Sequence, residues 1–248
     1  MKTIEQLRGI LALLWFDGIL PIRRSPFDVI NFILSPLTIL FFIYIFAGPS
    51  RAAFALGGGL IAVIVGSCIT LETEAAFMRI VVKLQDMFVA SPLSPVSYVA
   101  GLSLAKLFSG LAGIALFSVL LGIYAKISAL GAVEIVAAAV MTWASISALG
   151  FMISTFARDV RDLWVYSPLL NVALAFLPPV FYPISLLPQN FQFLAYVAPT
   201  TYPAQIIQSA TGLVSTPLGG LLFDYVGGVA YALILVALAA RLAHWRQT

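Results

Sequence analysis

Residues 52–71 read AAFALGGGLIAVIVGSCITL, with no charged side chain anywhere in the run. A helix of about 20 apolar residues crosses the hydrocarbon core of a bilayer and satisfies its own backbone groups there. Comparable runs occupy about 27–47, 97–125, 129–157, 163–182 and 219–240 of the 248 residues. The composition agrees: 62% of residues are hydrophobic and 9% charged, against about 25% charged in a soluble domain. Thirteen Lys and Arg with ten Asp and Glu cannot solvate a folded body of 26.6 kDa with mean hydropathy +1.06. A soluble enzyme, a disordered tail and a disulfide scaffold are excluded. The expected fold is all-α, a polytopic membrane protein with six transmembrane helices in a single transmembrane domain over residues 1–248.

The positions of the basic residues predict direction. Lys2, Arg8, Arg23, Arg24, Arg79, Lys83, Arg158, Arg161, Arg241 and Arg246 fall in one set of loops, whereas the opposite set holds Arg51 and Lys126. Basic residues stay on the cytoplasmic side, so both termini are expected there, in a cell membrane. Lys106, near the start of the third run, is expected to snorkel toward the side of Arg79. The net charge of +3 reflects this topology. No basic tract suggests nucleic acid as a partner.

Residues 3–20 read as an interfacial helix rather than a cleaved leader, because Glu5 and Asp17 interrupt them. Ile4, Leu7, Leu11 and Leu14 share one face, with Trp15 at headgroup depth and Lys2, Glu5 and Arg8 toward water. Pro21 and Pro26 then set the angle into the first span. Between spans two and three, Glu72, Arg79, Lys83 and Asp86 are spaced to form one charged stripe. Gln85–Ser97 ends in Ser91-Pro92-Leu93-Ser94-Pro95, where serines cap and prolines open a helix. That loop reads as a surface helix across the membrane face, with a solvated connector as the alternative.

From Leu163 to Ala240 there is no Lys or Arg, and Asp224 is the only acid. Residues 183–218 are apolar, yet Pro183, Pro188, Pro199, Pro203 and Pro217 break every long window. Two re-entrant outer half-helices fit better than two more full spans, which would make eight. Such a backbone survives at membrane depth only where protein or a wet cavity covers it.

Several chemistries are missing. The sequence holds no G-x-x-x-x-G-K-[S/T] phosphate loop, and Gly57-Gly58-Gly59, inside the second run, reads as a close-packing surface. His244, the one histidine, and Cys68, the one cysteine, make no metal site or triad. No enzymatic activity is expected of this chain. Glu134 and Asp224 read as interface residues rather than relay carboxylates, and Asn171 as a polar group near the middle of the fifth span.

Two local patterns then resemble a known family. Tyr182-Pro183-Ile184-Ser185-Leu186-Leu187-Pro188, followed by Ala198-Pro199-Thr200-Thr201-Tyr202, resembles the Y-P-x-S-x-L-P and N-P-x-T-Y region of the type-2 permease subunits of ABC transporters. Ala90-Ser91-Pro92-Leu93-Ser94 is similar to that family's T-P-L-S turn before span three. Ala198 stands where the family usually has Asn, and the family's Glu-x-x-x-Gly-Thr pattern does not follow Glu74. The layout matches over essentially the whole chain.

The resemblance implies a dimerising exporter subunit, in a homodimer or a heterodimer with a second permease, docked on a separate ABC ATPase subunit. No cofactor is implied on this chain, with ATP and Mg on the partner ATPase. It implies a coupling helix over about 85–96, with Asp86, Met87, Phe88, Val89, Ser91 and Pro92 at the ATPase. Phe181, Tyr182, Pro183, Pro188, Phe191 and Phe193 would form the outer gate within 184–212 and its approach. Spans two and five would line the dimer axis, with Tyr166, Asn171 and Phe176 on the pathway among membrane lipids. An aromatic content of 12% and few pathway charges favour an amphiphilic drug-like or lipid-like substrate. A lipid-linked polysaccharide is the second reading and an autonomous ion-coupled carrier the third.

Overall fold

A computed structural model describes residues 2–24, 27–48, 52–83, 93–125 and 127–242. Among them the chain is helical and without β-strands: α1 (Lys2–Leu13), a π-helical turn (Leu14–Ile19), α2 (Leu20–Arg24), α3 (Phe27–Ala47), α4 (Ala52–Ile69), α5 (Leu71–Ile80), α6 (Pro95–Ser109), α7 (Leu111–Tyr124), α8 (Ala129–Phe156), α9 (Val160–Ala175), α10 (Gln189–Ala195), α11 (Thr201–Ala210) and α12 (Leu218–Leu242). Among the described residues three helices are long and apolar enough to cross a membrane: Ala52–Ile80, Ala129–Phe156 and Leu218–Arg241. The pair α6 and α7, bent by 55°, makes a fourth when taken as one span. The bend falls at Gly110, where an added Cβ would lie 2.6 Å from Ser67 Oγ of α4.

The opening run forms the centre of the molecule. α4 packs against α3, α6, α7, α8, α9 and α11, and most of its residues are buried all round, as expected of a helix with no polar face. Its three glycines are the reason neighbours come so close. A Cβ on Gly57 would lie 2.9 Å from Ile207 of α11, one on Gly58 2.6 Å from the Phe181 ring, and one on Gly59 2.3 Å from the Phe117 ring of α7. The packing reading of this triplet therefore holds.

The fifth apolar interval differs from its expected limits of 163–182. α9 stops at Ala175, because Pro178 and Pro179 remove two backbone donors and restrict the residue before them. The chain then turns through a short 3-10 helix (Ile184–Leu186), α10 and α11 before α12 begins.

At the other end, α1 presents Ile4, Leu7 and Leu11 outward, each more than half exposed. Its opposite face lies on α6, where Gly101 would meet Leu13 Cδ1 at 2.7 Å and Gly18 would meet Ala105 Cα at 3.2 Å if either carried a Cβ. The Arg23 guanidinium sits 5.1 Å over the Trp15 ring. The turn before α6 follows the sequence reading: Ser94 Oγ accepts from Ser97 N at 3.2 Å, and Pro95 is the first helical residue.

The charged stripe does not form a solvated face. Glu72 is fully buried, Arg79 turns toward α8, the helix ends at Ile80, and Lys83 has φ +55°. Asp86 lies outside the described residues.

Candidate functional site

α3, α4, α5 and α9 enclose an open cleft of about 480 Å³. Its apolar wall comprises Pro36, Ala62, Gly66, Ile69, Trp164, Pro168 and Phe176. Its polar wall comprises Thr70, Thr73, Glu74, Ser167 and Asn171. Thr70 Oγ1 donates to Ser67 O at 2.6 Å, which leaves its lone pairs free. Asn171 Oδ1 is buried without a hydrogen-bond partner. Glu72, one residue from Thr73, is fully buried and neither carboxylate oxygen is hydrogen-bonded, with the Ser167 hydroxyl the side-chain group it faces. α4 reaches this cleft along one edge and is otherwise covered by the chain's own helices.

Behind Glu74 lies a buried charge cluster. Lys106 Nζ is 3.0 Å from Asp17 Oδ1 and 3.6 Å from Glu74 Oε2. It joins the π-helical turn, α6 and α5 through one ammonium. Burial raises the Asp17 carboxyl above the usual carboxylate range, an effect that the Lys106 charge opposes and Glu74 reinforces. Arg79 nearby serves the backbone: it donates to the carbonyls of Ser154 (2.7 Å), Ala157 (2.8 Å) and Thr155 (2.9 Å). These are carbonyls at the C-terminal end of α8, where the helix carries its negative pole and donors from the next turn are missing; Ser154 O also accepts from Ala157 N at 3.3 Å.

The segment 176–217 solves the same backbone problem with neutral groups. Thr200 Oγ1 donates to Leu174 O at 2.6 Å, Thr201 Oγ1 to Ala195 O, and Tyr202 OH to Tyr196 O at 3.1 Å. Gln208 Nε2 donates to Pro179 O at 3.1 Å and Tyr182 O at 3.2 Å, Tyr182 OH to Leu177 O at 2.9 Å, and Tyr231 OH to Val197 O at 2.6 Å. Gln205 Nε2 bridges to Tyr196 OH and to the buried Asp224 at 3.1 Å. The Ala-Pro-Thr-Thr-Tyr pattern is thus a row of three hydroxyls, each donating to a carbonyl at a helix end, with Ala195 O also accepting from Ala198 N at 3.1 Å.

The sequence-predicted residues divide. Asn171 and Phe176 meet at the cleft, but Tyr166 is exposed and does not line it. Phe181 is buried on Gly58 and stacks on Phe176 at 5.5 Å between ring centroids, so it belongs to the core. Tyr182 and Pro183 are half-buried, Pro188 is exposed, and Phe191 and Phe193 are exposed on α10. Asp86, Met87, Phe88, Val89, Ser91 and Pro92 lie outside the described residues. Lys106 does not snorkel to water but is buried against Asp17 and Glu74, because opposite charges were within reach. The reading missed that trio, along with Thr200 and Gln208. The available signal was charge of opposite sign inside apolar segments, which is rarely left unpaired.

A family model described as ABC-2 type transporter matches residues 8–211. Comparison with curated proteins gave no match.

Proposed function

The chain belongs to the ABC-2 type transporter family, and on that premise we propose that it is the transmembrane subunit of an ATP-driven exporter. The family match over residues 8–211 carries this reading. The sequence has no phosphate loop of its own, so the energy comes from a separate ABC ATPase that binds ATP and Mg. Two permease subunits, identical or different, form the working unit in a cell membrane. Each crosses six times with both termini in the cytoplasm, α3 and α9 completing the set of spans and 184–212 forming a re-entrant outer gate.

In this mechanism the ATPase grips the segment around Asp86–Pro92, with Met87, Phe88 and Val89 as apolar anchors and Asp86 as a polar contact. Closure of the ATPase dimer moves that segment and opens the path outward past Asn171 and Phe176. The substrate is an amphiphile, drug-like or lipid-like, taken from the cytoplasm or the inner leaflet. The mostly apolar cleft with one polar wall supports an amphiphile over a small ion.

The test is co-purification with an ABC ATPase subunit, followed by ATP-driven transport in proteoliposomes. Replacing Met87 and Phe88 by Asp should abolish association while leaving the membrane domain folded. Unchanged ATP-driven transport in that variant would overturn the placement of the docking segment. Gradient-driven flux by this chain alone, lost in Glu134→Gln, would instead establish an autonomous carrier.

A further inference from the structure

We infer that the cleft between α3, α4, α5 and α9 binds a cationic amphiphile, its charge held at the Glu74–Ser167 wall with Glu72 buried behind it, and its apolar body against Ile69, Trp164 and Phe176. The charge balance points that way. Three carboxylates, Asp17, Glu72 and Glu74, lie in and behind this wall, and Lys106 is the one ammonium shared among them. It sits closer to Asp17 (3.0 Å) than to Glu74 (3.6 Å) and makes no ion pair with Glu72. Arg79 cannot supply the missing charge, since its guanidinium is committed to three carbonyls of α8. Among the described residues the lining contains no Lys, Arg or His.

The remaining polar groups of the wall lean the same way. Thr70 has spent its proton on Ser67 O and offers only lone pairs. Asn171 Oδ1 accepts no hydrogen bond, and the fully buried Glu72, with neither oxygen hydrogen-bonded, has the Ser167 hydroxyl facing it. Buried acceptors without donors are rare and call for an explanation, and an uncompensated carboxylate at membrane depth is costly. A bound cation supplies what the wall lacks. The indole of Trp164, more than half exposed at the opening, adds a face that attracts cations. Beside the Glu74 carboxylate an anion would find only neutral donors among the described residues, the Thr73 and Ser167 hydroxyls and the Asn171 amide.

This inference rests on the permease reading only in calling the ligand a transported substrate. The binding site itself stands on the cleft. The experiment compares tetraphenylphosphonium with tetraphenylborate, ions of nearly equal size and opposite charge, by equilibrium dialysis against the full chain in lipid nanodiscs. Saturable binding of the phosphonium and none of the borate is expected. Glu74→Gln should weaken phosphonium binding about tenfold or more, as loss of one charged contact does, and Glu72→Gln, one layer behind the wall, should weaken it as well. Equal binding of both ions, or wild-type affinity in both variants, overturns the inference. If Glu72→Gln does not yield folded protein, Glu74→Gln carries the comparison, since Glu74 is 32% exposed. Association with an ABC ATPase, measured on the same preparation, separates the two claims. Association without cation preference removes only the substrate class, and cation binding without association removes only the permease role.

Discussion

Two regions of this molecule face the same difficulty, polar groups away from water, and solve it in opposite ways. Near the α1–α6–α5 junction the solution is charge: one lysine serves two carboxylates, and one arginine closes the end of α8. Across residues 176–217, where there is no Lys or Arg at all, hydroxyls and amides each take one or two carbonyls. A charged hub concentrates the stability in one side chain. A neutral network spreads it over many. The first arrangement should fail at a single substitution, and the second should erode step by step.

The largest effect should come from Lys106→Met, which leaves the buried Asp17 beside the half-buried Glu74 without a counter-charge. A loss of about 3–5 kcal/mol is expected, read as the fall in unfolding midpoint of the protein in mixed micelles. Adding Asp17→Leu to that variant should recover much of it, and a double variant no more stable than Lys106→Met would show that the two residues do not form a hub. Arg79→Met comes next, at about 2–3 kcal/mol for charged hydrogen bonds to carbonyls. Its distinctive readout is faster hydrogen exchange at the Ser154–Ala157 end of α8, with the rest of that helix unchanged.

In the neutral region, Thr200→Val keeps the shape but leaves Leu174 O without its donor, for about 1–3 kcal/mol. Limited proteolysis between α9 and α11 should report it. Tyr231→Phe removes one hydroxyl at a half-exposed position and should cost about 1 kcal/mol or less, visible as a small shift in thermal melting. If Tyr231→Phe were as damaging as Lys106→Met, the contrast between hub and network would collapse.

The all-helical architecture with its long apolar helices could be read in advance because apolar runs are a strong signal and a membrane allows few backbone solutions. The runs at 52–71, 129–157 and 219–240 match long helices closely. The Ser94-Pro95 start of α6 and the outward face of Ile4, Leu7 and Leu11 were equally legible, because caps and one-sided spacing act locally. What escaped depended on distant partners. Lys106 and Asp17 are 89 positions apart, and nothing local tells a snorkelling lysine from a paired one. Phe181 reads as a gate by its place beside Tyr182-Pro183, yet the groove at Gly58 that receives it lies in another helix. For the site, Asn171 and Phe176 were legible as polar and aromatic marks on one span, while Glu72 was taken into a charged stripe and Glu74 given no role until the helices packing on them were known.

The Gly57-Gly58-Gly59 contact has a mechanical side. Helices usually interlock, with side-chain ridges of one seated in grooves of the other, and sliding must lift one ridge over the next. Here Ile207, Phe181 and Phe117 seat on bare backbone from three directions, so α4 presents grooves and no ridges at that level. Leu56 and Leu60 bound the triplet on either side, and a shift of Phe181 along α4 would carry its ring from a glycine onto a side chain. The central helix is therefore a keyed socket at the height where 176–217 bears on it.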